Sequence, residues 1–452
     1  MKTNEPKRPY KDDNLFTYKG KSHGNGYTVE LQDTLGPPNG YEQFDLGIIE
    51  VDEEGQLSHP KQLENIGDRI RSVREQDKAI VVGFIHGWHN NADWDNAFLK
   101  SFRKLLKALL VRELEAHRRR VIGVYIGWNG RSEEGFGKWI GRIPLINVTT
   151  FRDRYRAAER TGQGEALSET LVELTSACKM PLGNSDPVPL ILIGHSMGAF
   201  ILQNAFLELL KHPGDPLVLP THRINYAVTT KRSDDEEVLA PDLLLSLNSA
   251  ADSNVAKNIN KWLLDKKWEK RFETSKAEVK VAPYNPPLLI SATSSNDLAV
   301  GFFWKIGQLS RKSSTTGFDK AIATHNFKKS KMEAKCEKAE FPDFYQPWHC
   351  LHKDNRPGIP TPCFAIDLPD HDRSKNKDLT HTRYLLTPKE RDKPSLFWSF
   401  QVPGDIIDGH SDIFNYKAAS FTLALIQLSG VLASAPGDGW DANFSEETLD
   451  CD

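Results

Sequence analysis

Leu190-Ile191-Leu192-Ile193-Gly194-His195-Ser196-Met197-Gly198-Ala199-Phe200 is the stretch on which the fold turns. Four apolar residues run into Gly194-His195-Ser196-Met197-Gly198, a match to G-x-S-x-G, and an Ala/Phe/Leu-rich segment leaves it. The first part reads as a buried strand. The second, residues 199–210, reads as a helix stopped at His212-Pro213-Gly214. A turn between them must be very tight, so small residues are needed where strand end and helix crowd together. Ser196 is then held out, strained, at the top of a sheet, and the helix N-terminus behind it favours developing negative charge. The three fixed letters are common by chance. The strand before them and the helix after them make the match specific.

Outward from this turn, short apolar runs alternate with amphipathic stretches. Residues 26–31 and 44–51 read as two antiparallel strands joined through Gly36-Pro37-Pro38-Asn39-Gly40. Residues 79–85 are a continuous apolar run, as in a strand covered on both faces. Phe98, Phe102, Leu105, Leu106, Leu109 and Leu110 then fall on one side of a helix. Residues 121–126 are the next strand, and Leu167, Leu171, Leu174 and Cys178 mark the next helix face. Residues 243–247 and 288–291 repeat the strand theme, with Val255, Ile259, Trp262 and Leu263 as a helix face between them. A last strand at 396–402 precedes a last helix at 416–432. This alternation predicts an α/β chain: a mostly parallel twisted sheet flanked by helices, with right-handed crossovers.

The alternation breaks between 303 and 393. About 90 residues there are rich in Lys and Pro and show no clear period, well beyond a usual loop. They are read as a cap or lid inserted over the sheet's C-terminal edge, because both flanks belong to one sheet. The expected organisation is a loose end at 1–13, a core at 14–302 and 394–435, the insertion at 303–393, and an acidic, flexible tail at 436–452.

A serine hydroxyl needs a base to act as a nucleophile. Of the 14 His residues, His410 lies after the last strand, in Asp408-Gly409-His410-Ser411-Asp412. The competing reading of His410 is an ordinary surface turn. The third member is a carboxylate that orients the imidazole. Asp297, after the strand at 288–291, is the first candidate, and Asp252, after the strand at 243–247, is the alternative. Either Asp also suits a helix N-cap. Phe84-Ile85-His86-Gly87-Trp88 ends an early strand, and Gly87 lets that loop bend close to a substrate. The backbone N–H groups of Trp88 and Met197 are the expected oxyanion donors, each worth on the order of 3 kcal/mol in the barrier. His86, Gly87, Trp128 and Arg131 are expected near the strand ends as pocket residues. Trp88, Trp94 and Trp128 serve equally well as packing at the rim.

The His-Gly loop at 86–87, Gly194-His195-Ser196-Met197-Gly198, the post-strand Asp297 and Gly409-His410 together resemble the α/β-hydrolase superfamily of serine esterases and lipases. Within it, residues 85–91, 127–131 and 151–160 are similar to a little-characterised group of bacterial and fungal hydrolase-like proteins. The likeness spans roughly residues 79–432, apart from the insertion and the segments 213–241 and 265–287. It implies a serine hydrolase that cleaves a carboxylic ester of a small molecule through an acyl-enzyme, with no cofactor. A lid-gated lipase or phospholipase, or an amidase or thioesterase with the same triad, stays open beside it. So does a non-catalytic binding module on the same scaffold.

Bulk properties narrow the remaining classes. A net charge of −3 over 452 residues offers no global attraction for nucleic acid or an acidic membrane surface. Five scattered Cys residues do not read as a disulfide framework. The N-terminal residues have no apolar stretch behind their charges, and no apolar run approaches the roughly 18 residues a membrane helix needs. A cytoplasmic location is expected. His86 with His89, and His349-Cys350-Leu351-His352 with Cys336 and Cys363, match no standard zinc spacing. Lys328, Lys329, Lys331, Lys335 and Lys338 read as a solvated face.

Overall fold

The computed structural model describes residues 10–12, 15–16, 27–31, 43–52, 54–88, 90–92, 96–116, 119–128, 144–211, 241–251, 255–256, 258–259, 287–297, 349–353, 364–369, 381–388, 397–432 and 442–444. Two short strands, β1 (Tyr10–Asp12) and β2 (Leu15–Phe16), pair with each other. The principal sheet begins with β3 (Tyr27–Leu31) and β4 (Gln43–Val51), which pair antiparallel as the sequence predicts. It continues through β5 (Ala79–Ile85), β6 (Arg120–Trp128), β7 (Leu190–His195), β8 (Leu243–Leu247), β9 (Leu289–Ser294) and β13 (Phe397–Val402). The eight strands lie in the order β13-β9-β8-β7-β5-β6-β4-β3, and all but β3 run parallel.

Parallel strands need crossovers, and helices supply them. Between described strands these are α1 (Pro60–Gln76), α2 (Ala97–Ala116), α3 (Pro144–Gln163), α4 (Glu165–Lys179) and α5 (Met197–Lys211), and a last helix, α6 (Tyr416–Leu428), follows β13. Every residue of β5, β7, β8 and β9 is buried, which explains why residues 79–85, 190–193 and 243–245 are apolar runs rather than alternating, while β9 also buries Ser291, Thr293 and Ser294. Alternate residues feed opposite cores. Val81 and Ile85 pack with Ile66 and Ile70 of α1, Leu171 of α4 and Phe200 of α5. Ile80, Val82 and Phe84 pack with Phe102 and Leu106 of α2 and Phe421 of α6. Each such side chain contributes about 1.5–3 kcal/mol of transfer free energy on burial.

Two helices are absent from the sequence reading. In α1, Leu63, Ile66, Ile70 and Val73 are buried at helical spacing, but charged residues between them mask the period. In α3 most of the length is polar, and Tyr155, Ala157 and Ala158 are buried among the core residues.

Residues 303–393, where no period is evident, contain three described strands: β10 (His349–Lys353), β11 (Phe364–Pro369) and β12 (His381–Pro388). They form an antiparallel sheet in the order β10-β12-β11-β14, completed by β14 (Ala442–Phe444) from the segment read as a flexible acidic tail. Ile366, Leu368, Tyr384 and Leu386 are buried in one cluster with Phe400 of β13 and Phe421 of α6. The small sheet therefore packs against the last strand and last helix. Burial of alternate residues marks β11 and β12 as strands, yet each stretch is too short to stand out among polar neighbours. No helix among the described residues is long and apolar enough to cross a membrane.

Candidate active site

Because β5, β7, β8, β9 and β13 run parallel, the residues that follow them emerge at one edge of the sheet. These are Gly87, Ser196, Asn248, Asp297 and His410. They are far apart in sequence and converge through topology.

Ser196 sits between β7 and α5 in left-handed backbone, φ 55°, a conformation that strains any side chain but glycine. The turn is closed from several sides. The Ser196 N–H donates to the Leu247 carbonyl at 3.1 Å, and its own carbonyl accepts from Ala199, Phe200 and Ala250 at 3.0–3.2 Å. The flanking glycines are required by space. A Cβ on Gly194 would lie 2.5 Å from Ala199 Cα, and one on Gly198 would lie 2.2 Å from the Ile85 carbonyl oxygen. The small residues the motif demands are thus the points where α5 meets β5 and β7.

His410 meets Ser196 from the loop after β13. Its Nε2 is 2.7 Å from Ser196 Oγ, and its Nδ1 is 2.8 Å from Asp297 Oδ2. A carboxylate can only accept, so Nδ1 carries the hydrogen and Nε2 is left to accept from the serine hydroxyl. Asp297 is 6% exposed and Ser196 4% exposed, while His410 is partly open to solvent. Asp252, the alternative acid, lies outside the described residues, and Asp297 occupies the position beside Nδ1.

Gly87 brings the loop after β5 against the turn. A Cβ there would stand 2.9 Å from Ser196 Cβ and 2.8 Å from His195 Nδ1, so only a glycine permits this approach. His86 holds the loop from beneath. Its Nε2 accepts from the Trp128 N–H at 3.1 Å, which leaves Nδ1–H to donate to the Gly87 carbonyl at 2.8 Å. The Trp128 indole N–H donates to the His86 carbonyl at 2.8 Å, and the two rings stack with centroids 5.8 Å apart. Asn90 Nδ2 donates to the Trp88 carbonyl at 3.0 Å. His86 and Trp128 are 0% and 3% exposed. These two side chains therefore support the loop instead of lining a pocket, because hydrogen bonding and stacking hold them inside. Arg131, Trp94 and His89 lie outside the described residues.

Several residues of the site escape a reading by motif. His195, the variable letter of the turn, is buried, and its Nε2–H donates to the His410 carbonyl at 2.8 Å. Burial, and then the neighbouring His410, push its imidazole well below the usual histidine range, so it stays neutral. Ser294 Oγ donates to the Ile407 carbonyl at 2.6 Å, and Asn296 Nδ2 to Asp408 Oδ1 at 3.1 Å. Asn415 caps α6 through the Ala418 N–H and also donates to the Ile406 and Asp412 carbonyls. Phe98 stacks on His195 at 5.1 Å and meets Phe414 edge-on at 5.8 Å, and both phenylalanines are partly exposed beside the site.

A mostly parallel sheet of this order, with a strained serine on a strand–turn–helix at its C-terminal edge, defines an α/β-hydrolase-like fold. No protein-family model matches the chain, and no curated protein matches it. Among solved structures it is similar to TT1662 from Thermus thermophilus, at 12% identity over 78% of this chain and 90% of that one, with a TM-score of 0.29. A protein called FAE shares 10% identity over 78% of this chain and 77% of its own, with a TM-score of 0.27. An uncharacterized protein from Pseudomonas aeruginosa shares 11% identity over 83% of this chain and 49% of its own, with a TM-score of 0.26. The fold class rests on this chain's own strand order and turn, not on these neighbours.

Proposed function

We propose that this chain is a serine hydrolase that cleaves a carboxylic ester through an acyl-enzyme. The observation that carries the reading is the bridging position of His410, 2.7 Å from Ser196 Oγ on one side and 2.8 Å from Asp297 on the other. As Ser196 Oγ attacks the ester carbonyl, its proton passes to His410 Nε2. Asp297 stabilises the imidazolium that forms and keeps the ring in the tautomer that can accept. The Trp88 and Met197 N–H groups hold the oxyanion of the tetrahedral intermediate. The close approach of Gly87 to Ser196 supports that assignment, since Trp88 is the next residue in the chain. Collapse of the intermediate breaks the ester C–O bond, and His410 returns the proton to the leaving alcohol. Water then attacks the acyl-enzyme as His410 Nε2 takes its proton. The bond between Ser196 Oγ and the acyl carbon breaks, the carboxylic acid leaves, and His410 returns the proton to Ser196 Oγ.

The test is covalent labelling with a fluorophosphonate, followed by hydrolysis of a p-nitrophenyl ester series of increasing acyl length. Labelling at Ser196 and its loss in Ser196→Ala are expected. Full activity of Ser196→Ala on the esters that the unmodified chain cleaves would refute the mechanism. A steep rise in rate on emulsified over dispersed substrate would point to the lipase reading instead.

A further inference from the structure

We propose that Asn248 is a positioning residue that brackets the loop carrying His410 to the loop carrying Asp297; the inference rests on the triad reading above. Asn248 follows β8 in left-handed backbone, φ 47°, a region that Asn enters more readily than most side chains. It is fully buried, and its N–H donates to the Ala292 carbonyl of β9 at 2.9 Å. The residue is thus anchored to the sheet before its side chain does anything.

That side chain reaches both loops at once. Oδ1 accepts from the Ser294 N–H at 2.7 Å, at the start of the turn that ends in Asp297. Nδ2 donates to the Gly409 carbonyl at 3.0 Å and to the His410 carbonyl at 2.7 Å. The orientation of the amide is decided by its partners, since one side meets an N–H and the other meets two carbonyls. The His410 carbonyl receives a second donor, His195 Nε2, at 2.8 Å.

The base loop needs such restraint. Gly409 is in left-handed backbone, φ 86°, with nothing within 4 Å of where a Cβ would stand. Gly409 therefore has no side chain to fix that peptide by packing. His410 must nonetheless present Nε2 to Ser196 and Nδ1 to Asp297 together, and a displacement of about 1 Å in such an array costs on the order of 100-fold in rate. An amide suits the bracket where a carboxylate does not. An ionised carboxylate would turn an oxygen toward two carbonyl oxygens with no hydrogen between them.

The experiment compares Asn248→Gly and Asn248→Asp with the unmodified full-length chain, using fluorophosphonate labelling rates, p-nitrophenyl acetate kinetics and thermal melts. Asn248→Gly keeps the backbone conformation and deletes the bracket. Its kcat and labelling rate are expected to fall on the order of 100-fold, with KM within about twofold. Asn248→Asp is expected to be equally impaired at pH 8. Its activity relative to the unmodified chain should then rise at least about tenfold toward pH 5, as the carboxyl gains a hydrogen it can donate. A packing role alone gives no such recovery. Asn248→Gly within about threefold of full kcat, or a ratio for Asn248→Asp that is flat with pH, overturns the bracket. If Asn248→Gly loses its melting transition, the pH ratio of Asn248→Asp decides alone. An unmodified chain that takes no label sinks the triad reading and the bracket with it. Normal labelling of all three proteins sinks the bracket only.

Discussion

His195 Nε2 lies 2.8 Å from the carbonyl oxygen of His410, 215 residues further along the chain. The residue just before the proposed nucleophile thus holds the main chain of the proposed base. The same ring packs against His410 with centroids 5.0 Å apart and against Phe98 at 5.1 Å. A stable turn and a correctly placed base are therefore coupled through one buried, neutral imidazole.

That imidazole makes stability depend on pH. Its folded pKa is pushed well below the usual value of 6.5, chiefly by burial. The unfolded chain takes up a proton there as the pH falls through about 6.5, and the folded chain does not. The stabilisation is therefore complete above that pH and is lost below it, by up to about 1.4 kcal/mol per pH unit. Urea unfolding of the unmodified chain and His195→Gln between pH 7.5 and 5.5 should show a shallower decline in the variant. Equal slopes would mean that His195 does not titrate this way.

Asp297 is expected to matter far more to rate than to binding. Asp297→Asn keeps the shape of the side chain but removes the charge that steadies the imidazolium, and its amide can favour the wrong tautomer. A fall in kcat on the order of 10³- to 10⁴-fold is expected, with KM little changed. Steady-state kinetics on a p-nitrophenyl ester provide the check, and a loss under about tenfold would return the acid role to Asp252.

Ser196 trades stability for its position. A non-glycine residue in the left-handed region costs about 1–3 kcal/mol, and glycine gives back roughly 0.5–1 of that in unfolded-chain entropy. Ser196→Gly should therefore abolish fluorophosphonate labelling and leave the chain as stable as before or about 1 kcal/mol more stable. A clear drop in melting temperature would show that the serine's hydrogen bond to His410 outweighs the strain at φ 55°.

The α/β alternation, the paired strands at the start of the sheet, the strand–turn–helix at Ser196 and the chemical types suited to a triad are legible in the chain alone. They depend on local periods and on glycines whose absence of a Cβ has an immediate steric meaning. Helix α1 escaped because its apolar stripe is diluted by charge, and β10–β12 because short strands carry too few alternations to register. Asn248 offers no local signal, since one asparagine after a strand resembles any other turn residue. Its three partners lie 46, 161 and 162 positions away. The pairing of Asp297 with His410, the inward lock of His86 on Trp128 and the bracket at Asn248 were decided by tertiary structure, because a hydrogen bond depends on distance in space and parallel strands bring distant loops to the same edge.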